Sequence, residues 1–248
     1  MPSFFGGPGR YVLAVDTATP AVTAAVVAVL PAGGDRSGVR TLASRGKVDA
    51  RAHGELLAPS VAAVLGEAGI GLPDLAAVVV GLGPGPYTGL RVGLVTAAAL
   101  ADAVGIPVYG VCSLDTVAGL ALAARTRPAA GDPGRLLVAT DARRREVYWA
   151  LYDDTGARIS GPAVDRPAVL ADRLPGIGVT LAAGAGARQY ADVLGVPVTG
   201  PDYPDPAAAV AAVRDRILAG APSDQLTPLY LRRPDAELPG RLKQVTPR

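Results

Sequence analysis

The chain has 248 residues, of which 50% are hydrophobic and 19% charged, and its mean hydropathy is +0.31. This composition supports a packed core and excludes disorder of the charge-rich, weakly hydrophobic kind. The formal net charge is +2 and aromatic residues make up 4%. Neither value favours bulk electrostatic binding of nucleic acid or an extended platform for stacking bases.

A single cysteine and a single histidine, Cys112 and His53, limit the possible metal chemistry. They exclude a disulfide within the chain, a cysteine-based zinc cage and any site that needs two histidines. The first residues lack a basic segment before an apolar stretch and reach Asp16 early, so they predict no signal peptide. No run of about 18 uncharged apolar residues predicts a membrane span. We therefore expect a cytoplasmic protein without a membrane anchor.

The first half of the chain predicts three strands and then alternating helices and strands. Residues 53–68 place apolar side chains at i, i+3, i+4 and i+7, which is one face of an amphipathic helix. Residues 90–104 are apolar nearly all round and predict a helix buried on two sides. The predicted strands are residues 11–15, 22–30, 39–48, 75–80 and 106–111, and the predicted helices are residues 53–68, 90–104 and 113–125.

The second half of the chain opens with the same pattern after a loop over residues 127–134. The predicted strands are residues 136–140, 146–152, 158–164 and 179–183. The predicted helices are residues 169–174, a helix that follows residues 184–186 and ends at Leu194, and residues 207–219. Residues 226–233 are predicted to end the ordered part of the chain. The remaining residues predict a tail.

Two similar α/β blocks in tandem favour the two-lobed fold of actin and hexokinase, built on a ribonuclease H-like core. In this α/β fold each lobe is a mixed sheet with helices. We expect residues 1–112 to form the first lobe and residues 113–205 the second. We also expect residues 206–248 to pack back on the first lobe.

Two loops at strand ends are candidates for a nucleotide site. Asp16 ends the first strand, where kinase-like proteins of this class place an acid near metal and phosphate, and the alternative is a turn-forming aspartate before Thr17. The loop over residues 81–89 joins a strand to a helix, which is the geometry of an anion site. Because Pro84 and Pro86 each remove an N–H donor, a stiff loop that permits close packing is the favoured alternative.

Two polar clusters and the cysteine admit both a functional and a structural interpretation. His53 and Glu55 point about 200° apart on a helix, so they cannot bind one ion together, and a polar helix start is favoured. Residues 143–145 are consecutive arginines before an aromatic strand, which suits either RNA contact or a solvated hairpin end, and the second is favoured. Cys112 predicts a buried small hydrophobe. No catalytic constellation emerges.

The predicted helices 53–68 and 90–104 carry more apolar surface than one small lobe needs, which is typical of a partner interface. The alternative is that the stripe packs wholly inside its own lobe. The expected partner-binding residues are His53, Leu56, Leu57, Ser60, Val61, Val64, Leu90 and Leu94.

Four segments resemble the bacterial TsaB family of tRNA threonylcarbamoyladenosine biosynthesis proteins. They are VLAVDTATP (12–20), RAHGELLAP (51–59), GLGPGPYTGLRVG (81–93) and DARRREVYWALY (141–152), and PLYLRR (228–233) agrees with the family's usual last strand. The match is strong over residues 12–115 and weak over residues 155–206. One departure is Pro86-Tyr87, where the family usually has Ser-Phe, and it changes the donors of that loop.

The resemblance implies an actin-like fold and a non-catalytic partner of TsaD, the catalytic paralogue. It implies that the first-lobe helices bind TsaD, that a TsaE-type ATPase works with the pair, and that the chain forms a homodimer when alone. The complex would use ATP to form threonylcarbamoyladenosine beside the anticodon, with tRNA as a substrate of the complex rather than of this chain.

The resemblance implies no catalytic residue, no metal ligand and no tightly bound cofactor in this chain. Two rival hypotheses remain: a stand-alone nucleotide-dependent kinase or hydrolase, and a tRNA-binding module that uses residues 143–145. The residues of the expected vestigial nucleotide loops are Asp16, Thr17, Gly83, Gly85, Thr88, Gly89, Gly184 and Gly186.

Overall fold

The computed structural model of the chain describes residues 10–30, 38–124 and 134–232, and two mixed sheets with helices make up this part. The strands are β1 (Arg10–Asp16), β2 (Ala21–Val29), β3 (Val39–Val48), β4 (Leu75–Gly81), β5 (Val108–Val111), β6 (Arg135–Asp141), β7 (Val147–Tyr152), β8 (Arg158–Asp165) and β9 (Val179–Ala183). The helices are α1 (His53–Ala68), α2 (Tyr87–Val104), α3 (Ser113–Ala123), α4 (Pro167–Ala171), α5 (Leu174–Ile177), α6 (Ala185–Gln189), α7 (Ala191–Leu194), α8 (Pro206–Ala212) and α9 (Arg214–Ala219).

The two sheets repeat one topology. The first has the strand order β3-β2-β1-β4-β5 and the second β8-β7-β6-β9. In each sheet three strands form an antiparallel meander, and the next strand runs parallel to the first strand of that meander. Strand β6 therefore takes the place of β1. This arrangement confirms the predicted two-lobed α/β fold with a mixed sheet in each lobe.

The first sheet is covered on both faces, which explains why β1 and β2 are continuous apolar runs. Leu13 and Val15 of β1 belong to a core cluster with α1 and α2, whereas the alternate residues Val12 and Ala14 belong to a cluster with α8 and α9. Successive side chains of a strand point to opposite faces. Full burial of each such valine or leucine stabilises the fold by about 1.5–3 kcal/mol.

Helices α8 and α9 return the chain to the first sheet. Val210 and Ile217 share a buried cluster with Val12, and the Tyr109 hydroxyl donates to the Ala221 carbonyl at 2.6 Å. The division into lobes at residues 112 and 205 stays a prediction, and this packing supports it.

The second sheet has its own two layers of helices. On one face α3 packs against β6 and β7, where Leu114 and Val117 share a cluster with Leu136. On the other face the short helices from α4 to α7 supply Leu170 and Leu194. A second hydrophobic core thus supports the β6–β7 hairpin.

Several elements differ from their predicted bounds. Helix α2 begins at Tyr87, because Pro86 takes an extended N-cap conformation (φ −61°, ψ 137°) and the helix continues directly from it. The two predicted helices that end at residues 194 and 219 are each interrupted, at Tyr190 (φ −117°) and Val213 (φ −113°). The last strand that the family resemblance implies at residues 228–233 is wrong for residues 228–232, which form no strand.

Candidate functional site

Asp16, at the end of β1, is buried and both of its carboxylate oxygens accept hydrogen bonds. Its Oδ1 accepts the N–H of Ala18 at 2.8 Å, and its Oδ2 accepts the hydroxyl of Ser113 at 2.6 Å. Burial raises the pKa of Asp16 to about 6, although the hydrogen bonds from Ser113 and Ala18 act in the opposite direction. A carboxyl enclosed in this way supports the turn-forming interpretation of Asp16.

Thr17 and His53 join the same turn to α2 and α1. The Thr17 hydroxyl donates to the Gly89 carbonyl at 2.7 Å and accepts the N–H of Gly93 at 3.0 Å. The Nε2 of His53 lies 2.8 Å from the Thr19 carbonyl oxygen, so that nitrogen carries the proton. His53 is 8% exposed. These contacts favour a structural role for His53 at the start of α1.

The glycines at the end of β4 and in the loop that follows it allow close packing against the β1–β2 turn. A Cβ atom on Gly85 would lie 2.1 Å from the carbonyl oxygen of Ala18. A Cβ atom on Gly81 would lie 1.9 Å from a carboxylate oxygen of Asp16. Because side chains have no space there, the loop covers the turn and does not form an open cradle for a phosphate.

The other predicted glycines also have local structural causes. Gly83 and Gly184 take left-handed backbone conformations, with φ of +94° and +100°. A Cβ atom on Gly186 would lie 2.6 Å from the carbonyl carbon of Thr140, so this glycine lets α6 approach β6. Gly83, Gly184 and Gly186 do not line the cleft described next.

A cleft of about 390 Å³ lies between the two lobes. One wall consists of the segment before α1 and the start of α2, and the other of the β6–β7 turn and residues 230–232. Gly85, Thr88 and Gly89 line it, as the nucleotide-loop hypothesis expects, whereas Asp16 and Thr17 do not. Its described lining includes no aspartate or glutamate. Its long polar and aromatic residues are Arg51, His53, Arg143, Arg232, Tyr87, Tyr148 and Tyr230.

The β6–β7 turn that forms one wall is strained. Residues 143–145 have φ values of 59°, 52° and 60°, and left-handed backbone costs a non-glycine residue about 1–2 kcal/mol. The turn is braced because the Oδ1 of Asp141 accepts the N–H of the first arginine at 2.9 Å, and the N–H of Glu146 donates to the carbonyl of the same arginine at 2.9 Å. Arg232 donates to the Ala142 carbonyl at 2.7 Å and pairs with Glu146. These contacts hold the first arginine at the cleft.

Aromatic side chains connect the start of α2 on one wall to the last described segment on the other. The rings of Tyr87 and Tyr230 lie 5.0 Å apart between centroids, and the Arg91 guanidinium lies 4.2 Å over the Tyr87 ring. The N–H of Leu229 donates to the Leu82 carbonyl at 2.8 Å. Sequence reasoning did not place Tyr230 or Arg232 in a site, because no local periodicity relates them to the residues that they contact, which lie far earlier in the chain.

The apolar stripe expected to meet a partner lies mainly in the core of the first lobe. Its buried members, each 0–6% exposed, are Leu57, Val61, Val64, Leu90 and Leu94. We correct the expectation that these side chains and His53 contact a partner, because an amphipathic helix buries its apolar face against its own sheet. Leu56 and Ser60 are half-buried at the edge of α1.

The outer face of α1 and α2 carries small exposed side chains around one large hydrophobic residue. Val95 is 66% exposed, the highest value among the large hydrophobic residues described, and it borders a shallow groove beside α2. In the single chain one face of α2 is therefore exposed, so the prediction that this helix is buried on two sides is wrong. We call this surface the outer helix face, and its other exposed members are Ala58, Pro59, Ala62 and Gly66 on α1 and Ala98, Ala99 and Asp102 on α2.

Residues 10–30, 38–124 and 134–232 contain neither a metal-binding cluster nor a membrane-spanning helix. Within these ranges no three His, Cys, Asp or Glu side chains form a group that could hold a metal ion. No described helix is long and apolar enough to cross a membrane. Cys112 is buried, and burial raises the pKa of its thiol to about 11, which agrees with the role of a small hydrophobe.

Comparison with known proteins gives the family. Residues 47–196 match the family model of TsaD, tRNA N6-adenosine threonylcarbamoyltransferase. The tRNA threonylcarbamoyladenosine biosynthesis protein TsaB of Escherichia coli is 37% identical over 147 residues, which cover 58% of this chain and 57% of that protein. The chain belongs to the TsaB group of the TsaD family.

Two further comparisons extend over most of the chain. An uncharacterized protein of Mycobacterium leprae is 51% identical over 226 residues, or 91% of this chain, and the chain spans 56% of that relative's length. A structure of YeaZ from Pseudomonas aeruginosa has a TM-score of 0.69 and 28% identity, and covers 90% of this chain and 100% of its own. The described lobes thus share the fold of a solved relative.

Proposed function

We propose that the chain is a non-catalytic subunit of the complex that forms threonylcarbamoyladenosine in tRNA, and that it supports a TsaD-type catalytic subunit. The relatives' names support the pathway, because the E. coli relative is a tRNA threonylcarbamoyladenosine biosynthesis protein and the matched model is that of the transferase. The observation that carries the non-catalytic role is the enclosure of Asp16 by Ala18 and Ser113.

The rival role of a stand-alone kinase or hydrolase needs a carboxylate that faces a metal-bound phosphate at the end of β1. The residues present do not fit such a group, because Asp16 is 5% exposed and does not line the cleft. We therefore assign ATP use to the complex, through a TsaE-type ATPase, and treat tRNA as the substrate of the complex. We expect the chain in the cytoplasm, where tRNA is modified.

We place the TsaD-type contact on the outer helix face. Alanine and glycine let a partner's helices approach closely, and Val95 supplies an apolar centre. Leu56 and Ser60 at the edge of α1 are the members of the predicted set that can still reach a partner. Two copies of the chain would pair through the same face when the catalytic subunit is absent.

A single substitution on this face tests the proposal. Val95→Asp should abolish binding to the TsaD-type protein of the same genome in a pull-down, because an unpaired carboxylate would be buried at the centre of the interface. It should leave the thermal melt near normal, because the side chain is 66% exposed in the free chain.

The matched control is Val193→Asp, at a valine that is 47% exposed on α7 of the second lobe. This variant should bind the partner as the parent chain does. If Val95→Asp still binds, or if both variants lose binding equally, the outer helix face is not the contact surface.

A further inference from the structure

We infer that the last described segment holds the two lobes at one fixed angle. We call residues 223–232 the strap, and they form neither helix nor strand. Within the described residues the chain passes between the lobes twice before the strap, from β5 to α3 and from the residues after α7 to α8. Two such crossings alone can act as a hinge. The strap starts on the first lobe and ends on the second, so it adds a third connection that restricts this hinge.

The strap is anchored first along β5, the edge strand of the first sheet. The N–H of Asp224 donates to the Val108 carbonyl at 2.9 Å, and the Oδ2 of Asp224 accepts the N–H of Gly110 at 3.0 Å. Arg216 of α9 donates to the same carboxylate at 3.0 Å and holds the pKa of Asp224 below its usual value. Backbone and charge-assisted hydrogen bonds therefore fix this end of the strap to the first lobe.

The other end of the strap is anchored on the second lobe. Arg232 donates to the Ala142 carbonyl at 2.7 Å and pairs with Glu146, and both partners lie in the β6–β7 turn. The two side chains of the ion pair are 23% and 28% exposed, so water and salt screen this pair less than a fully exposed one. Leu229 packs against the core cluster that α3 and β6 share. The second lobe thus holds the strap by both charged and apolar contacts.

The strap has no slack between its contacts with the two walls of the cleft. The ring of Tyr230 lies 5.0 Å from that of Tyr87, which is at the start of α2 on the first lobe. Arg232 is held by the β6–β7 turn on the second lobe. Only Leu231 separates Tyr230 from Arg232, and two residues of fully extended chain span about 7 Å at most. The walls therefore cannot move apart unless the tyrosine pair or the Arg232 contacts break.

The distance between the lobes tests the inference in the full, free chain. Spin labels on Val48→Cys and Val169→Cys, at valines 57% and 41% exposed in the first and the second lobe, report that distance by double electron–electron resonance. Cys112 is buried, and a buried thiol is a poor nucleophile, so it can stay in place. The parent should give one narrow distance distribution. A broad distribution for the parent overturns the fixed angle.

Substitutions at either contact should release the lobes. Arg232→Ala and Tyr230→Ala should each raise the population at a second distance by about fivefold or more, because each removes one of the two contacts that join the walls. Since the contacts lie in series, the double variant should open no further than the more open single variant. Unchanged distances in both single variants, or additive opening in the double variant, overturns the inference.

The matched control is Arg173→Ala, which removes an arginine whose 3.4 Å pair with Asp165 lies within the second lobe. This variant should keep the parent's single distance. Equal broadening in this control and in Arg232→Ala overturns the inference, because general loosening would then explain both.

Circular dichroism melts show whether each variant is folded. If Arg232→Ala unfolds, Tyr230→Ala still decides the test, because its side chain is 38% exposed and its loss should be tolerated. The distance is measured without a partner, so failure of this inference leaves the Val95 pull-down unaffected.

Discussion

The β1–β2 turn and the β6–β7 turn occupy equivalent places in the two sheets, and each begins with an aspartate. Asp16 accepts the N–H of Ala18 at 2.8 Å, and Asp141 accepts the N–H of Arg143 at 2.9 Å. The first aspartate is 5% exposed, with Ser113 on its second oxygen. The second is half-buried and is followed by exposed arginines. One local hydrogen-bond pattern therefore supports a buried polar network in one lobe and a cationic wall in the other.

The difference between the turns comes from what covers them. The end of β4 and the loop after it lie so close to the first turn that Gly81 and Gly85 have no room for a side chain. The second turn faces the cleft instead. The position of an aspartate at the end of the first strand therefore does not decide its role. The segments that pack over the turn decide whether the aspartate can contact a ligand.

The largest expected effect tests how tightly the loop containing Gly85 packs over the β1–β2 turn. Gly85→Ala places a Cβ atom 2.1 Å from the Ala18 carbonyl oxygen, and backbone cannot move aside cheaply, so we expect a loss of about 3 kcal/mol or more. Chemical unfolding measures it. The control is Gly66→Ala in α1, where nothing lies within 4 Å and where alanine should stabilise by up to about 1 kcal/mol. If the Gly85 variant and the parent were equally stable, the loop would not pack tightly against the β1–β2 turn.

The next effect concerns the buried acid. The pKa of Asp16 is raised from 3.8 to about 6 by burial, so between these values the folded chain holds a proton that the unfolded chain has released. This carboxyl therefore favours folding below pH 3.8, and its contribution is lost as the pH rises through about 6.

Asp16→Asn cannot ionise and should lack this pH dependence. Relative to the variant, the parent's free energy of unfolding should fall by about 2–3 kcal/mol between about pH 4 and pH 7. Urea unfolding at several pH values measures the difference. Parallel pH profiles for the two proteins would mean that the Asp16 carboxyl is solvated, as expected for an open turn.

The smallest effect tests the strain of the second turn. Arg145→Gly should stabilise the chain by up to about 1 kcal/mol, because glycine adopts the left-handed conformation (φ 60°) without a Cβ penalty. Arg145→Ala keeps the Cβ atom and should give no such gain. Thermal melts of the two variants check this, and a Gly variant no more stable than the Ala variant would argue against strain at this position.

Much of the fold was predictable because it depends on local patterns. Helix α1 begins at His53 and ends at Ala68, as the apolar spacing predicts, and Gly69 closes it in a left-handed conformation. Three strands before the first helix correctly predicted the meander that opens each lobe. The motifs around Asp16 and residues 81–93 correctly indicated the TsaB group.

The sequence by itself thus determined the order of elements, the amphipathic character of α1 and the family. Only the tertiary structure decided that Leu57 and Val64 face their own sheet, that Ser113 covers Asp16 from 97 positions away, and that Arg51 and Arg143 line one cleft. The physical reason is that periodicity reports which side of an element is apolar, whereas the segment that covers that side is set by contacts between residues distant in the chain.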